Sequence, residues 1–390
     1  MKHPQPMVSR RRLLQLGGAA AVSSLSGTAL AATARDPRFL TIILRGGVDS
    51  LAMVPPTGDP DLAGIRGKLN EFATVPLDGF FSLHGAMRNI GDLWAHKQLV
   101  GFHAISTPYH DRSHFDAQNV LESGLARPNG SADGWLNRAL ALRPDSARRG
   151  LSVGAGTPLI MRGAAPVGSW APSKLPVAEA TLVDRLMPLW AKDPLLAGML
   201  PQGRELQAMT GGMNGGDAAN GRMAGLLEQV GQLMARTDGP RIVAMDSDGW
   251  DMHGTLLFHM NRLCADLDDG IGRLRAALGD HWDDTAVLIV SEFGRTVEPN
   301  GTGGSDHGIG GSALLLGGAV QGGRMIADWP GLRPGDRVDA RDLRPTTDLR
   351  AVFTAILGDH LGHTPEEIRQ AILPGPAASG HLSGLFRQVL

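Results

Sequence analysis

The chain has 390 residues, 42% of them hydrophobic and 19% charged, a composition that suits one large globular domain or two small ones. Its formal net charge of -2 leaves no basic field to hold nucleic acid or an anionic membrane surface. Cys264 is the sole cysteine, which excludes an intramolecular disulfide and leaves stability to the core and to bound metal.

In chain order, the first element is a targeting segment. Ser9, three arginines (Arg10, Arg11, Arg12), Leu13, Leu14 and Gln15 form a twin-arginine motif at the end of a basic stretch. An apolar, Ala/Gly-rich run from Leu16 to Leu30 follows and closes in the small-residue triplet Ala29-Leu30-Ala31. It is too short for a membrane span, and nothing after Ala34 resembles a stop-transfer segment. A cleaved signal peptide over 1–31, use of the bacterial twin-arginine translocase, and a periplasmic or secreted mature protein without a stable membrane span are the expectations.

Five apolar runs then read as strands buried on both faces, the pattern of a parallel sheet. They are Phe39–Leu44, Gln98–Phe102, Pro240–Met245, Thr285–Val290 and Ser312–Leu316. Between the third and fourth, Leu256, Met260, Leu263, Leu267, Ile271, Leu274 and Leu278 keep helical spacing. Leu349 to Leu361 is a second helix, opened by the cap-like Thr346-Thr347-Asp348. The alternation predicts an α/β fold over 36–390: a doubly wound, mostly parallel sheet with helices on both faces. A mainly helical insertion is expected at about 125–235, with a Gly- and Asn-rich surface loop from Thr210 to Arg222.

In open α/β sheets ligands bind at the carboxyl ends of the strands. Each strand end here delivers Asp, Glu, His or Ser: Asp49 and Ser50; then Arg112, Ser113, His114 and Asp116; then Asp251 and His253; then Ser291, Glu292 and Arg295; and, just before the fifth strand, Asp306 and His307. Carboxylates gathered in one cleft repel one another unless a cation sits between them, and imidazole with carboxylate suits zinc or manganese. Each element alone has a plain structural reading: Ser113 as a helix N-cap, Asp306 as a turn residue, Glu292 and Arg295 as a surface pair.

The succession Gly-Gly-x-Asp, Arg-Ser-His-Phe-Asp, Trp-Asp-x-His, Ser-Glu-Phe-Gly-Arg-Thr and Asp-His-Gly resembles a typically twin-arginine-exported family known as domain of unknown function 1501. The resemblance runs from about Phe39 to the C-terminus and is most specific from Ser291 to Gly308. That family is similar in turn to the alkaline phosphatase superfamily, with its sulfatases. The resemblance implies an alkaline phosphatase-like fold, one or two divalent ions (zinc or manganese, calcium also admissible) and a hydroxyl nucleophile. Position by position it implies Asp49, Asp251, His253, Glu292, Asp306 and His307 as metal ligands, Ser113 as nucleophile, and Arg112 or Arg295 as clamps on the anion. The sequence departs from the superfamily in spacing Asp251 and His253 as Asp-x-His and in placing Glu292-Phe293 where Asp-His is usual. Either Glu292 takes the acidic role with His307 as the later ligand, or Asp306-His307 is the usual pair displaced. The implied function is an exported, metal-dependent hydrolase of phosphate or sulfate esters. The alternative is a non-catalytic member of the fold that binds a glycan or an envelope protein.

Overall fold

The structure is a computed structural model that describes residues 35–143, 150–154, 156–172, 180–193, 197, 203–204, 207–210, 213, 222–378, 380 and 382–387. The expected signal peptide and most of the expected 210–222 loop lie outside the described residues. Pro37–Leu390 forms one compact unit.

The body is built on a central sheet. Its strands are β1 (Arg38–Leu44), β4 (Leu99–Ser106), β5 (Gly150–Val153), β6 (Val167–Trp170), β7 (Ile242–Ser247), β8 (Thr285–Val290), β9 (Gly311–Leu316), β10 (Arg324–Ile326) and β11 (Thr347–Asp348). The spatial order is β10-β4-β9-β8-β1-β7-β5-β6, with β11 also paired to β4. A separate hairpin joins β2 (Thr74–Pro76) to β3 (Ser82–His84). All five apolar runs are strands, and every residue of β1, β4, β8 and β9 is buried.

Alternate side chains of β1 serve different cores. Leu40, Ile42 and Leu44 pack with the long helix Leu256–Leu278 and with Met223–Ala235. Phe39 and Ile43 pack on the opposite face with Trp135–Ala141 and Leu349–Ala355. This period-two division is what covering both faces of a sheet requires, and the α/β, doubly wound reading holds. Asp348 caps the helix Leu349–Ala355 by accepting from the Arg350 N–H at 2.9 Å, as the Thr-Thr-Asp motif predicts. The 125–235 stretch carries the helices Trp135–Ala141, Ala180–Trp190 and Met223–Ala235 among its described residues, and it also supplies β5 and β6, which extend the sheet in parallel from β7. Those strands are four residues each and contain glycine, so they lack a long apolar run and owe their conformation to pairing with a neighbour.

One strand sets the geometry of the functional edge. β8 and β7 run parallel to β1, whereas β9 runs antiparallel to both β8 and β4. The start of β9 therefore lies at the same edge as the ends of β1, β4, β7 and β8. Asp306 and His307, which precede β9 in the chain, thereby meet residues that follow the other strands. No helix among the described residues is long and apolar enough to cross a membrane.

Candidate metal centre

After β1 the chain turns at Arg45-Gly46-Gly47. Both glycines have positive φ, +121° and +70°, and a Cβ on Gly47 would stand 2.2 Å from Phe293 Cε2. The turn brings the Gly46 N–H to Glu292 Oε1, at the end of β8, at 2.8 Å. Beyond β4, Arg112 at φ +64° leads into the helix His114–Ser123. Asp251 and His253 follow β7.

Four side chains converge at this edge. His307 Nε2 lies 3.0 Å from His114 Nε2, 3.0 Å from His253 Nε2 and 3.2 Å from Asp251 Oδ1. Asp251 Oδ1 is 3.0 Å from His253 Nε2, and Asp251 Oδ2 is 3.5 Å from His114 Nε2. The ligand atoms of His114, Asp251 and His307 all fall within 4.8 Å of one another.

The outer nitrogens fix the tautomers. His114 Nδ1 faces Glu292 Oε1 at 2.9 Å, and His253 Nδ1 faces Asp306 Oδ1 at 3.0 Å. A carboxylate only accepts, so each Nδ1 carries the hydrogen and each neutral ring turns an Nε2 lone pair inward. Arg295 donates to Asp251 Oδ1 and brings a nitrogen to 3.4 Å from His253 Nε2, which leaves the His114 and His307 Nε2 atoms facing each other with at most one hydrogen between them. A cation placed among the rings would take the lone pairs of all three. Nitrogens bound to a common tetrahedral zinc stand about 3.4 Å apart, close to these separations. The donor set of three imidazoles and one carboxylate fits zinc or manganese, and carboxylates behind the imidazoles are the usual outer support of such ligands.

Local charge is consistent with that geometry. Burial tends to raise the Asp251 carboxyl, but Arg295 overrides it and the group is held below its usual range. Burial likewise opposes ionisation of Glu292, and hydrogen bonds led by the one from His114 bring its carboxyl below normal. The bond to Glu292 raises His114, while burial, with His114 and Arg295 nearby, lowers His307.

The positions expected from sequence separate into three groups. Asp251, His253 and His307 come together. Glu292 and Asp306 stand one layer back, each receiving a histidine Nδ1–H, with Asn300 Nδ2 also donating to Asp306 at 3.1 Å. Asp49 is committed elsewhere: it is buried, pairs with Arg66 at 2.8 Å, receives the Ser305 hydroxyl at 2.6 Å and caps the turn Ser50–Met53. Arg295, 1% exposed, spends its donors on the Gly47 carbonyl (2.5 Å), the Gly46 carbonyl (2.5 Å), the Ser305 carbonyl (3.0 Å) and Asp251, so it is a tie between three loops. Arg112 is paired with Asp342 at 2.5 Å and with Asp339 at 3.4 Å. Ser113 occupies the N-cap position before His114 without a side-chain cap bond.

His114 is the member that sequence reasoning passed over in favour of its neighbour Ser113. The signal was present in Arg-Ser-His-Phe-Asp, where the histidine is the commoner metal ligand.

Residues 202–370 match the family model described as "Protein of unknown function (DUF1501)". That span includes Asp251, His253, Glu292, Arg295 and His307, and leaves His114 outside. No curated protein matches the chain. Among solved structures, a phosphonate monoester hydrolase of Agrobacterium radiobacter aligns at 12% identity and TM-score 0.39, covering 85% of this chain and 74% of that one. The PsFucS1 sulfatase from Pseudoalteromonas sp. aligns at 14% identity and TM-score 0.40, covering 96% and 77%. The C-terminal periplasmic domain of EcEptC from Escherichia coli, in complex with Zn, aligns at 9% identity and TM-score 0.36, covering 74% of each.

Proposed function

We propose that this protein is an exported, metal-dependent hydrolase of phosphate or sulfate esters, with its centre at His114, Asp251, His253 and His307. The observation that carries the reading is the inward aim of the His114 and His253 Nε2 atoms, each 3.0 Å from His307 Nε2. His114, Asp251, His253 and His307 would hold a divalent ion, which would supply polarisation of an anionic ester and a water nucleophile near neutral pH. Glu292 and Asp306 orient the imidazoles and increase their basicity. Arg295 offsets part of the negative charge of Asp251 and fixes three loops around the site. Ser113, one residue before a ligand and at the start of a ten-residue helix, is the candidate hydroxyl nucleophile, with the helix N-terminus favouring an anionic ester beside it. The twin-arginine motif supports export in a folded state with the metal already inserted.

The test is metal analysis of the purified mature protein, paired with turnover of 4-nitrophenyl phosphate, bis(4-nitrophenyl) phosphate and 4-nitrophenyl sulfate. The reading expects at least one equivalent of zinc or manganese, loss of that metal in His114→Ala, and hydrolysis of at least one ester. Loss of turnover in Ser113→Ala with metal retained assigns the hydroxyl as nucleophile; unchanged turnover assigns water. A fully metallated protein that turns over none of these esters sinks the hydrolase reading.

A further inference from the structure

A cavity of about 870 Å³ opens beside the metal centre. One wall is the helix that carries His114. Phe115, Gln118, Asn119 and Glu122 repeat at the spacing of a single helical face, and all four line the cavity. Gln118 also donates to Glu292 Oε1 at 3.1 Å, so the cavity and the outer support of the metal centre share a side chain. The other walls begin a few residues from the site: Arg45 directly precedes Gly46, and Asp248 lies three residues before Asp251.

The lining says what the cavity suits. Phe115 is 87% exposed, the most exposed large apolar side chain among the described residues, and it stands at the cavity wall. Solvated aromatic rings at a cavity are favourable contacts for an organic ligand. The charges are mixed. Arg45 is held between Glu122 at 2.6 Å and Asp246 at 2.8 Å, which removes most of its field. Arg162, exposed and lining the cavity, bonds through Nε to the Thr157 carbonyl at 2.7 Å, and the exposed Asp248 supplies an acceptor. Donors and acceptors of both signs around one exposed ring do not select an anion or a cation. They match a neutral ligand whose groups each donate and accept, namely hydroxyls, and whose C–H face can lie on the ring.

We propose that this cavity binds the alcohol side of the ester as a neutral polyhydroxylated group of saccharide type, with Phe115 as its stacking contact and Asp248 and Arg162 as hydroxyl partners. The proposal names the substrate class of the hydrolase reading and rests on it for the ester bond, but sugar binding is measurable without turnover.

The experiment uses the full mature protein on an array of neutral oligosaccharides, with hits quantified by saturation-transfer NMR for wild type, Phe115→Ala and Asp248→Asn. Metal content is measured on every sample. Phe115 is solvent-exposed, so its removal leaves the fold intact. Binding of a neutral oligosaccharide that weakens by about tenfold in Phe115→Ala, with metal content unchanged, is the expected result. No binding on the array, or binding indifferent to both substitutions, overturns the assignment. Sugar binding without ester turnover keeps the cavity assignment and removes the hydrolase reading; turnover of aryl esters without sugar binding does the reverse.

Discussion

His114 Nε2 and His307 Nε2 face each other at 3.0 Å although 193 residues separate them in the chain. They meet because a helix begins after β4 and because β9 runs against its neighbours, so that its first residues return to the edge where the other strands end. With Nδ1 of His114 committed to Glu292, its Nε2 is the atom left facing His307. His307→Ala and His114→Ala are expected to purify with less than a tenth of the wild-type metal, measured by inductively coupled plasma mass spectrometry. Metal at about a thousand times its dissociation constant contributes about 4 kcal/mol to stability, so a chelator lowers the unfolding midpoint of wild type and leaves that of the variants in place. Equal metal in wild type and variants would remove these imidazoles from the ligand set.

Glu292 tests the outer layer separately from the inner one. Glu292→Gln keeps volume and an acceptor for the Gly46 N–H but weakens the hold on the His114 ring. Metal affinity should fall by about 10- to 100-fold, the usual consequence of losing an outer carboxylate. Competition titration against a chromophoric chelator gives the ratio directly. A loss as complete as that of His114→Ala would mean that Glu292 itself ligates.

Arg295 is buried and tied to carbonyls of Gly46, Gly47 and Ser305 as well as to Asp251. Arg295→Met strands those acceptors and leaves Asp251 without its cation. Urea unfolding should show a loss of more than about 2 kcal/mol, because a buried carbonyl left without its donor costs about 1–3 kcal/mol, while Asp251, 45% exposed, adds little. Arg333, 72% exposed and paired with Asp61 at 3.0 Å, is the control: Arg333→Gln should cost less than about 1 kcal/mol. Similar losses for the two would mean that Arg295 does not tie the loops together.

The legible parts of this molecule were those with a local signature. The long apolar runs of β1, β4, β7, β8 and β9 declare themselves because burial on both faces leaves no polar position to blur them. The helix Leu256–Leu278 declares itself by its period. Asp251, His253 and His307 were readable because each sits a short step from such a strand. β5 and β6 were not, since four residues become a strand only through the parallel register offered by β7. The division of labour between His114 and Glu292 was hidden for a related reason. Which acid or imidazole group faces the other histidines depends on a side-chain contact across 178 residues, and no spacing rule records it. Arg295 resembled a substrate clamp until the carbonyls around it were visible.

His103 supplies a pH dependence that is independent of the metal centre. It is buried, stacks on Phe81 at a centroid separation of 5.3 Å and meets Trp329 edge-on at 5.1 Å. Its Nδ1 accepts the Ala104 N–H at 2.9 Å, and its Nε2 faces the Ser50 carbonyl at 3.4 Å. One nitrogen must accept and the other donate, so the neutral ring is the form that fits. Burial drives its pKa from 6.5 down to about 4, against the raising effect of its backbone partners. The sign follows. Between those two values the unfolded chain binds a proton that the folded chain refuses, so stability rises with pH there. The contribution is whole above pH 6.5 and is lost as pH falls towards 4, by about 3 kcal/mol over the 2.5-unit gap between 6.5 and 4. Urea unfolding of wild type and His103→Gln at intervals from pH 8 to 4.5 gives the comparison. The variant starts lower at pH 8 because packing is lost, and its stability falls less steeply below pH 6.5. Parallel slopes in the two proteins would mean that His103 titrates normally.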